Sequence, residues 1–182
     1  MATYGVREAD DVQRWVDWMV KNSGSSEIYG FGASLGAAVL LQSLETETRF
    51  RAVVAESPYY DFVSVADERV ARRLPEGTKW VAAPFVASGM AWARWRRGFD
   101  LRKASPAEGL RRTHTPVLLI HGAEDKKTSP GNSERLAQIG GRNVVLWMVP
   151  GSHHADAWAT AKTEFETRVL GWFSTSRLPA TG

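Results

Sequence analysis

The sequence predicts an α/β protein built on one mainly parallel sheet of about four strands flanked by helices. Three observations predict it. Four runs of strand length, residues 27–31, 50–56, 116–120 and 143–149, are rich in apolar and β-branched side chains. Helical patterns alternate with them, as crossovers between parallel strands require. The third run, Val117-Leu118-Leu119-Ile120, has no polar interruption, the composition of a strand covered on both faces.

Taken in order, residues 8–20 place Val12, Trp15, Val16 and Met19 at helical spacing, which predicts a first helix with one buried face, ended by Asn22-Ser23-Gly24-Ser25. The stretch from Ser26 to Leu41 reads as strand, tight turn and alanine- and leucine-rich helix, with Ser34 at the apex. Residues 50–56 form the second strand, stopped by Ser57-Pro58 and followed by Tyr59 and Tyr60. From 61 to about 107 the pattern is helical, with segments 63–74 and 79–97 separated by Pro75-Glu76-Gly77, and reads as an insert. After the third strand a helix begins at Gly131-Asn132-Ser133 and runs through Ala137. The fourth strand is broken by Pro150-Gly151. A last helix is expected over 155–173, with Trp158, Phe165, Val169 and Trp172 facing inward.

A chain of 182 residues, 43% apolar and 24% charged, is expected to form a single domain over 1–182 with a real core. No apolar run reaches the ~18 residues of a membrane span, and the N-terminus lacks the pattern of a signal peptide. A cytoplasmic location and no membrane partner are the expectations. The absence of cysteine excludes a disulfide scaffold, a thiolate metal site and a cysteine nucleophile. Net charge is only +3, and the one dense cationic cluster, Arg94-Trp95-Arg96-Arg97, is explained by a solvated helix face, so no nucleic-acid partner is expected. Most of the eight tryptophans are expected in the core or lining a pocket, given the area each ring buries.

Chemistry concentrates at three places. Gly32-Ala33-Ser34-Leu35-Gly36 fits the nucleophile elbow G-x-S-x-G, in which glycines let strand and helix nearly touch while a strained serine projects its hydroxyl. The pattern alone is weak; the strand before it and the helix after it are the context that it demands. His121-Gly122-Ala123-Glu124-Asp125 follows the third strand, and Pro150-Gly151-Ser152-His153-His154-Ala155-Asp156 follows the fourth. In a parallel sheet both loops fall at the carboxyl rim where Ser34 sits. A serine hydroxyl needs a base to take its proton, and an imidazole serves best when a carboxylate orients it. The residues leave Glu124 or Asp125 as the acid and His153 or His154 as the base. His121 and His114 read as structural.

These segments resemble the C-terminal part of a serine α/β hydrolase of the esterase and prolyl-oligopeptidase-like kind. The resemblance rests on the elbow, on Pro116-Val117-Leu118-Leu119-Ile120-His121-Gly122-Ala123-Glu124-Asp125, and on Val149-Pro150-Gly151-Ser152-His153-His154. The opening Thr3-Tyr4-Gly5-Val6-Arg7-Glu8-Ala9-Asp10-Asp11-Val12 is similar to the helix that precedes the elbow in that family. The resemblance implies Ser34 as nucleophile, Asp125 as the orienting acid and His154 as base, with Gly32 and Gly36 in the elbow and no metal or cofactor.

The family's fold normally has eight strands, and this chain supplies the last four. The histidine-glycine loop that provides one oxyanion-hole amide is absent from it, leaving the backbone N–H of Leu35, with the hydroxyl of Tyr59 or Tyr60 as a candidate substitute. Loss of one donor costs about 10²–10³ in rate. The first strand would have an unpaired edge, so a homo-oligomer formed through it is expected, unless the chain is a fragment of a longer product. The expected function is hydrolysis of short-chain carboxylic esters through an acyl-enzyme on Ser34. The alternatives are a peptidase or thioesterase with the same three residues, and a non-catalytic binding remnant.

Overall fold

The computed structural model describes residues 2–25 and 27–176; Ser26, which opens the predicted strand-turn-helix stretch, and the last six residues of the expected domain lie outside them. Helix α1 (Glu8–Ser23) leads into strand β1 (Ile28–Ala33), helix α2 (Leu35–Ser43) and strand β2 (Phe50–Glu56). The insert follows as α3 (Phe62–Ala71), a 3-10 turn (Lys79–Val81), α4 (Ala82–Arg97) and a second 3-10 turn (Leu101–Lys103). Then come α5 (Pro106–Arg112), β3 (Val117–Gly122), α6 (Gly131–Gly140), β4 (Val144–Val149), the short α7 (Ala157–Thr160) and α8 (Lys162–Thr175).

The four strands form one sheet in the order β1-β2-β3-β4, every neighbouring pair parallel. Side chains alternate across it, as the two-residue period of a strand requires. Val53, Ala55, Val117 and Leu119 face a cluster that includes Val16 of α1, Leu40 and Leu41 of α2, Leu110 of α5 and Leu136 of α6. Val54, Leu118, Ile120 and Trp147 face the other way, onto Phe165 of α8. Each large aliphatic side chain so buried contributes about 1.5–3 kcal/mol. Ala33, Glu56, Ile120 and Trp147 lie in one row across the sheet. Everything that follows those residues in the chain therefore emerges at the same rim.

Local chemistry sets the helix starts. Asp61 caps α3 by accepting from the Ser64 N–H at 2.7 Å, and α5 starts with Ser105 as cap and Pro106 at its first turn. Ala107 and Leu110 of α5 are buried in the main core. The last helix is in two pieces. Ala155 has φ 52 and Ala161 has φ −137 and ψ 52, backbone conformations outside the helical region, so α7 starts at 157 and α8 at 162.

The tryptophans correct much of another expectation: Trp15, Trp18, Trp80, Trp92, Trp95 and Trp158 are 49–81% exposed, of which Trp95 lines a surface cavity, while Trp147 is buried and Trp172 packs partly buried beside it. On α4 the buried residues Ala82, Val86 and Met90 make a stripe with four-residue spacing, too narrow to take in Trp92 and Trp95 as well. On α1 the face toward the core is Val12, Val16, Met19 and Val20, and Trp15 packs edge-on against Trp18 instead. Trp158 turns outward to donate to Glu166 Oε1 at 3.1 Å. β1 pairs with β2 alone among the described residues, and Phe31 on it is half exposed. No helix among the described residues is long and apolar enough to cross a membrane.

Candidate active site

Ser34 sits between the last residue of β1 and the first of α2 with φ 53 and ψ −116, a region that a non-glycine residue occupies at a cost of about 1–3 kcal/mol. Its N–H donates to the Glu56 carbonyl at 2.8 Å, and its carbonyl accepts from Ala38 at 3.1 Å, which holds the strained turn in place. Gly32 is required by space: a Cβ there would lie 2.7 Å from the Gly36 oxygen and 2.8 Å from the Ala37 nitrogen. Gly36 differs from expectation, since a Cβ at that position would meet nothing within 4 Å. The close approach of strand and helix is thus borne by Gly32 alone.

The Ser34 Oγ lies 2.7 Å from His154 Nε2, and His154 Nδ1 lies 2.7 Å from Asp125 Oδ2. Between the candidates that the sequence left open, geometry chooses. Glu124 and His153 are exposed, and His153 Nδ1 donates to the Glu124 carbonyl at 3.2 Å. Asp125 is buried. Its Oδ1 accepts from the N–H groups of Lys127 and Thr128, both at 2.8 Å, and its Oδ2 faces His121 Nε2 at 3.2 Å as well as His154. Burial alone would raise its pKa; the hydrogen bonds from His121, Thr128, His154 and Lys127 outweigh it and hold the carboxyl below the usual carboxylate range. An ionised Asp125 accepting at Nδ1 fixes His154 as the tautomer whose Nε2 is free to accept the serine proton.

Several residues that hold this arrangement carry no motif. Gly122 lets the end of β3 touch the histidine loop, since a Cβ there would lie 2.2 Å from the His153 oxygen. Glu56 and Ser57, at the tip of β2, hold the far side of that loop: Ser57 Oγ accepts from Ala155 N–H at 3.1 Å and Glu56 Oε1 from Ala157 N–H at 2.9 Å. Burial, partly offset by the Ala157 N–H, pushes the Glu56 carboxyl up. Glu56 closing a strand of apolar residues is the only signal of this in the sequence.

A pocket of about 180 Å³ opens beside the serine and includes Leu35, Ser57, Tyr59 and Thr128 in its wall. Leu35 is the first residue of α2, so its N–H is among those with no partner inside the helix and stands next to Ser34. Of the two candidate tyrosines, Tyr59 stands in this pocket wall. Tyr59 donates its O–H to the Tyr4 carbonyl at 2.6 Å, and burial pushes its phenol up. Tyr60 is absent from the pocket wall; its ring lies under the Arg135 guanidinium at 3.7 Å and its hydroxyl faces Arg111. Tyr4 itself is held by Glu8, which accepts from the N–H groups of Thr3 and Gly5 at 2.6 and 2.9 Å.

Residues 1–177 match the prolyl oligopeptidase family. The chain belongs to that family. This prolyl oligopeptidase family member is 24% identical over 170 residues to the uncharacterized protein YqkD of Bacillus subtilis, covering 92% of this chain and 54% of the relative. Among solved structures, the Pyrococcus furiosus esterase Pf2001 superposes with a TM-score of 0.70 at 21% identity, over 96% of this chain and 64% of the esterase. A puromycin-hydrolyzing peptidase of Mycobacterium tuberculosis gives 0.71 at 19% identity, over 96% of this chain and 26% of the peptidase. The fold is that of the α/β hydrolases, of which this family member carries a part. The chain spans about half the length of the curated relative and under two thirds of the esterase. Its family is one of serine hydrolases of this fold.

Proposed function

We propose that this chain is a serine hydrolase that cleaves short-chain carboxylic esters through an acyl-enzyme on Ser34. The observation that carries the reading is the unbroken hydrogen-bond path from Ser34 Oγ through His154 to Asp125, 2.7 Å at each step. His154 Nε2 takes the serine proton as Oγ attacks the ester carbonyl, and the resulting imidazolium is stabilised by the Asp125 carboxylate. The oxyanion of the tetrahedral intermediate lies toward the Leu35 N–H, at the positive end of α2. His154 then protonates the leaving alcohol, and a water molecule activated by the same imidazole releases the acid. A pocket near 180 Å³ is below the ~300 Å³ at which sites for drug-sized ligands begin, which favours short acyl groups.

The family and a peptidase among the solved structures also favour a peptide carbonyl at the same serine. One experiment separates the readings: fluorophosphonate labelling followed by mass spectrometry, with turnover of p-nitrophenyl acetate and butyrate beside a peptide p-nitroanilide. Labelling of Ser34 with ester turnover, both lost in Ser34→Ala, is the expected outcome. Labelling with turnover of the anilide alone would move the assignment to a peptidase. No labelling would leave a non-catalytic remnant of the fold.

A further inference from the structure

We propose that the substrate carries an anionic oxygen group, a carboxylate or a phosphate, close to its scissile bond, and that Arg69 and Lys127 bind it. This deepens the reading of Ser34 as nucleophile and rests on it.

The wall of the Ser34 pocket contains two charged side chains, Arg69 and Lys127, and no carboxylate. The same two residues line an adjoining cleft of about 360 Å³ whose whole lining is Arg69, Arg72, Arg73, Lys126 and Lys127. Two cations therefore stand in the serine's own pocket, and three more line the cleft that shares them. Of these, only Arg72 has a carboxylate partner among the described residues, Glu68 at 3.6 Å. A group of like charges with so little compensation raises the local concentration of anions and favours their binding in a concave site. An arginine fork beside a lysine ammonium suits the oxygens of a carboxylate or a phosphate.

The cluster is also built rather than incidental. Arg72 is hydrogen-bonded through its guanidinium to the Lys126 and Lys127 carbonyls, which ties α3 of the insert to the loop that carries Asp125. The Lys127 N–H is in turn bonded to Asp125 Oδ1. The backbone bearing one cation is thus fixed by the orienting acid of the site, and Arg69 stands one turn before the residue that clamps it. The positive field acts on substrate at the reacting serine, so it selects among substrates.

The test compares matched pairs of esters. On the acyl side, mono-p-nitrophenyl glutarate is set against p-nitrophenyl butyrate; on the alcohol side, 4-carboxyphenyl butyrate is set against phenyl butyrate. The expected result is a kcat/KM at least ~10-fold higher for the anionic member of one pair at low salt, falling toward parity in 0.5 M NaCl as the charges are screened. The ratio of anionic to neutral kcat/KM should drop about tenfold in Arg69→Gln/Lys127→Gln, with Arg72 left in place. Competition by glutarate and by inorganic phosphate tells which oxyanion the site prefers. Ratios near one in both pairs, with neutral esters still cleaved, would overturn the anion site and leave the esterase reading intact. If no ester is cleaved and Ser34 takes no fluorophosphonate, the esterase reading fails. Calorimetric titration with glutarate and phosphate then decides the anion site: saturable binding weakened in the double variant supports it, and no binding rejects it.

Discussion

His121 lies directly behind Asp125, its Nε2 3.2 Å from Asp125 Oδ2 and 3.0 Å from the Thr128 carbonyl, while its Nδ1 takes a 2.6 Å contact with Ser133 Oγ. Two acceptors at Nε2 make that nitrogen the N–H donor, so Nδ1 accepts from the serine. The side chain is fully buried, and this histidine is the floor of the acid loop.

His121→Ala should therefore act on both stability and turnover. It leaves Ser133 and the Thr128 carbonyl without partners inside the protein, at about 1–3 kcal/mol for each unsatisfied group. Urea denaturation should show a lowered midpoint. In the folded fraction kcat should fall while fluorophosphonate labelling of Ser34 slows, because Asp125 loses one of the bonds that aim it. Unchanged stability would mean that His121 is not the support described.

Asp125→Asn should leave the fold intact and reduce kcat by about 10⁴, the cost of presenting His154 with the wrong hydrogen-bond partner. Acid titration supplies a second readout. The Asp125 carboxyl lies below its ordinary value of 3.8, so the stability that it contributes is present above that value and is lost as pH falls through the folded pKa. The variant should show a shallower loss of stability below pH 4 than the wild type. Identical acid profiles would contradict the network around Asp125.

Glu56 gives the opposite sign. Its carboxyl lies above its ordinary value of 4.5, chiefly through burial. The folded state then holds its proton more tightly than the unfolded state, and stability falls as pH rises from 4.5 toward the raised folded value. Glu56→Gln keeps an oxygen to accept from Ala157 and removes the titration. Its stability relative to wild type should improve as pH rises through that window, read by denaturation midpoints at matched pH values. No pH-dependent difference would show that Glu56 carries no strain of this kind.

We also propose that the edge of β1, which pairs with β2 alone among the described residues, mediates self-association of this chain. Unpaired strand edges recruit other strands, and half-exposed Phe31 adds apolar area beside this one. Sedimentation at tens of micromolar should show a dimer or larger species, weakened by Phe31→Lys. A strictly monomeric species would reject the proposal.

Much of the fold was legible because strands buried on both faces have to be apolar throughout, and residues 116–120 and 50–56 are nearly so. The elbow was legible for a similar reason: the contact between Gly32 and Gly36 excludes any larger residue at Gly32. Trp15, Trp92 and Trp158 were misread because hydrophobicity does not say whether a neighbour is present to cover a ring. The sequence offered Tyr59 and Tyr60 alike because nothing local says which of two adjacent side chains turns toward Ser34; Tyr59 is the one in its pocket wall.

The sequence by itself determined the order of strands and helices, the strained serine and the two loops that reach its rim, since backbone sterics and burial act on neighbours in the chain. Resemblance pointed to His154 over His153, but only the tertiary structure decided how closely its ring meets Ser34, that Glu56 and Ser57 hold the histidine loop, and that Arg69 and Lys127 flank the serine. Those choices depend on distances between residues 29 to 120 positions apart, which are set by how the sheet brings its strand ends together.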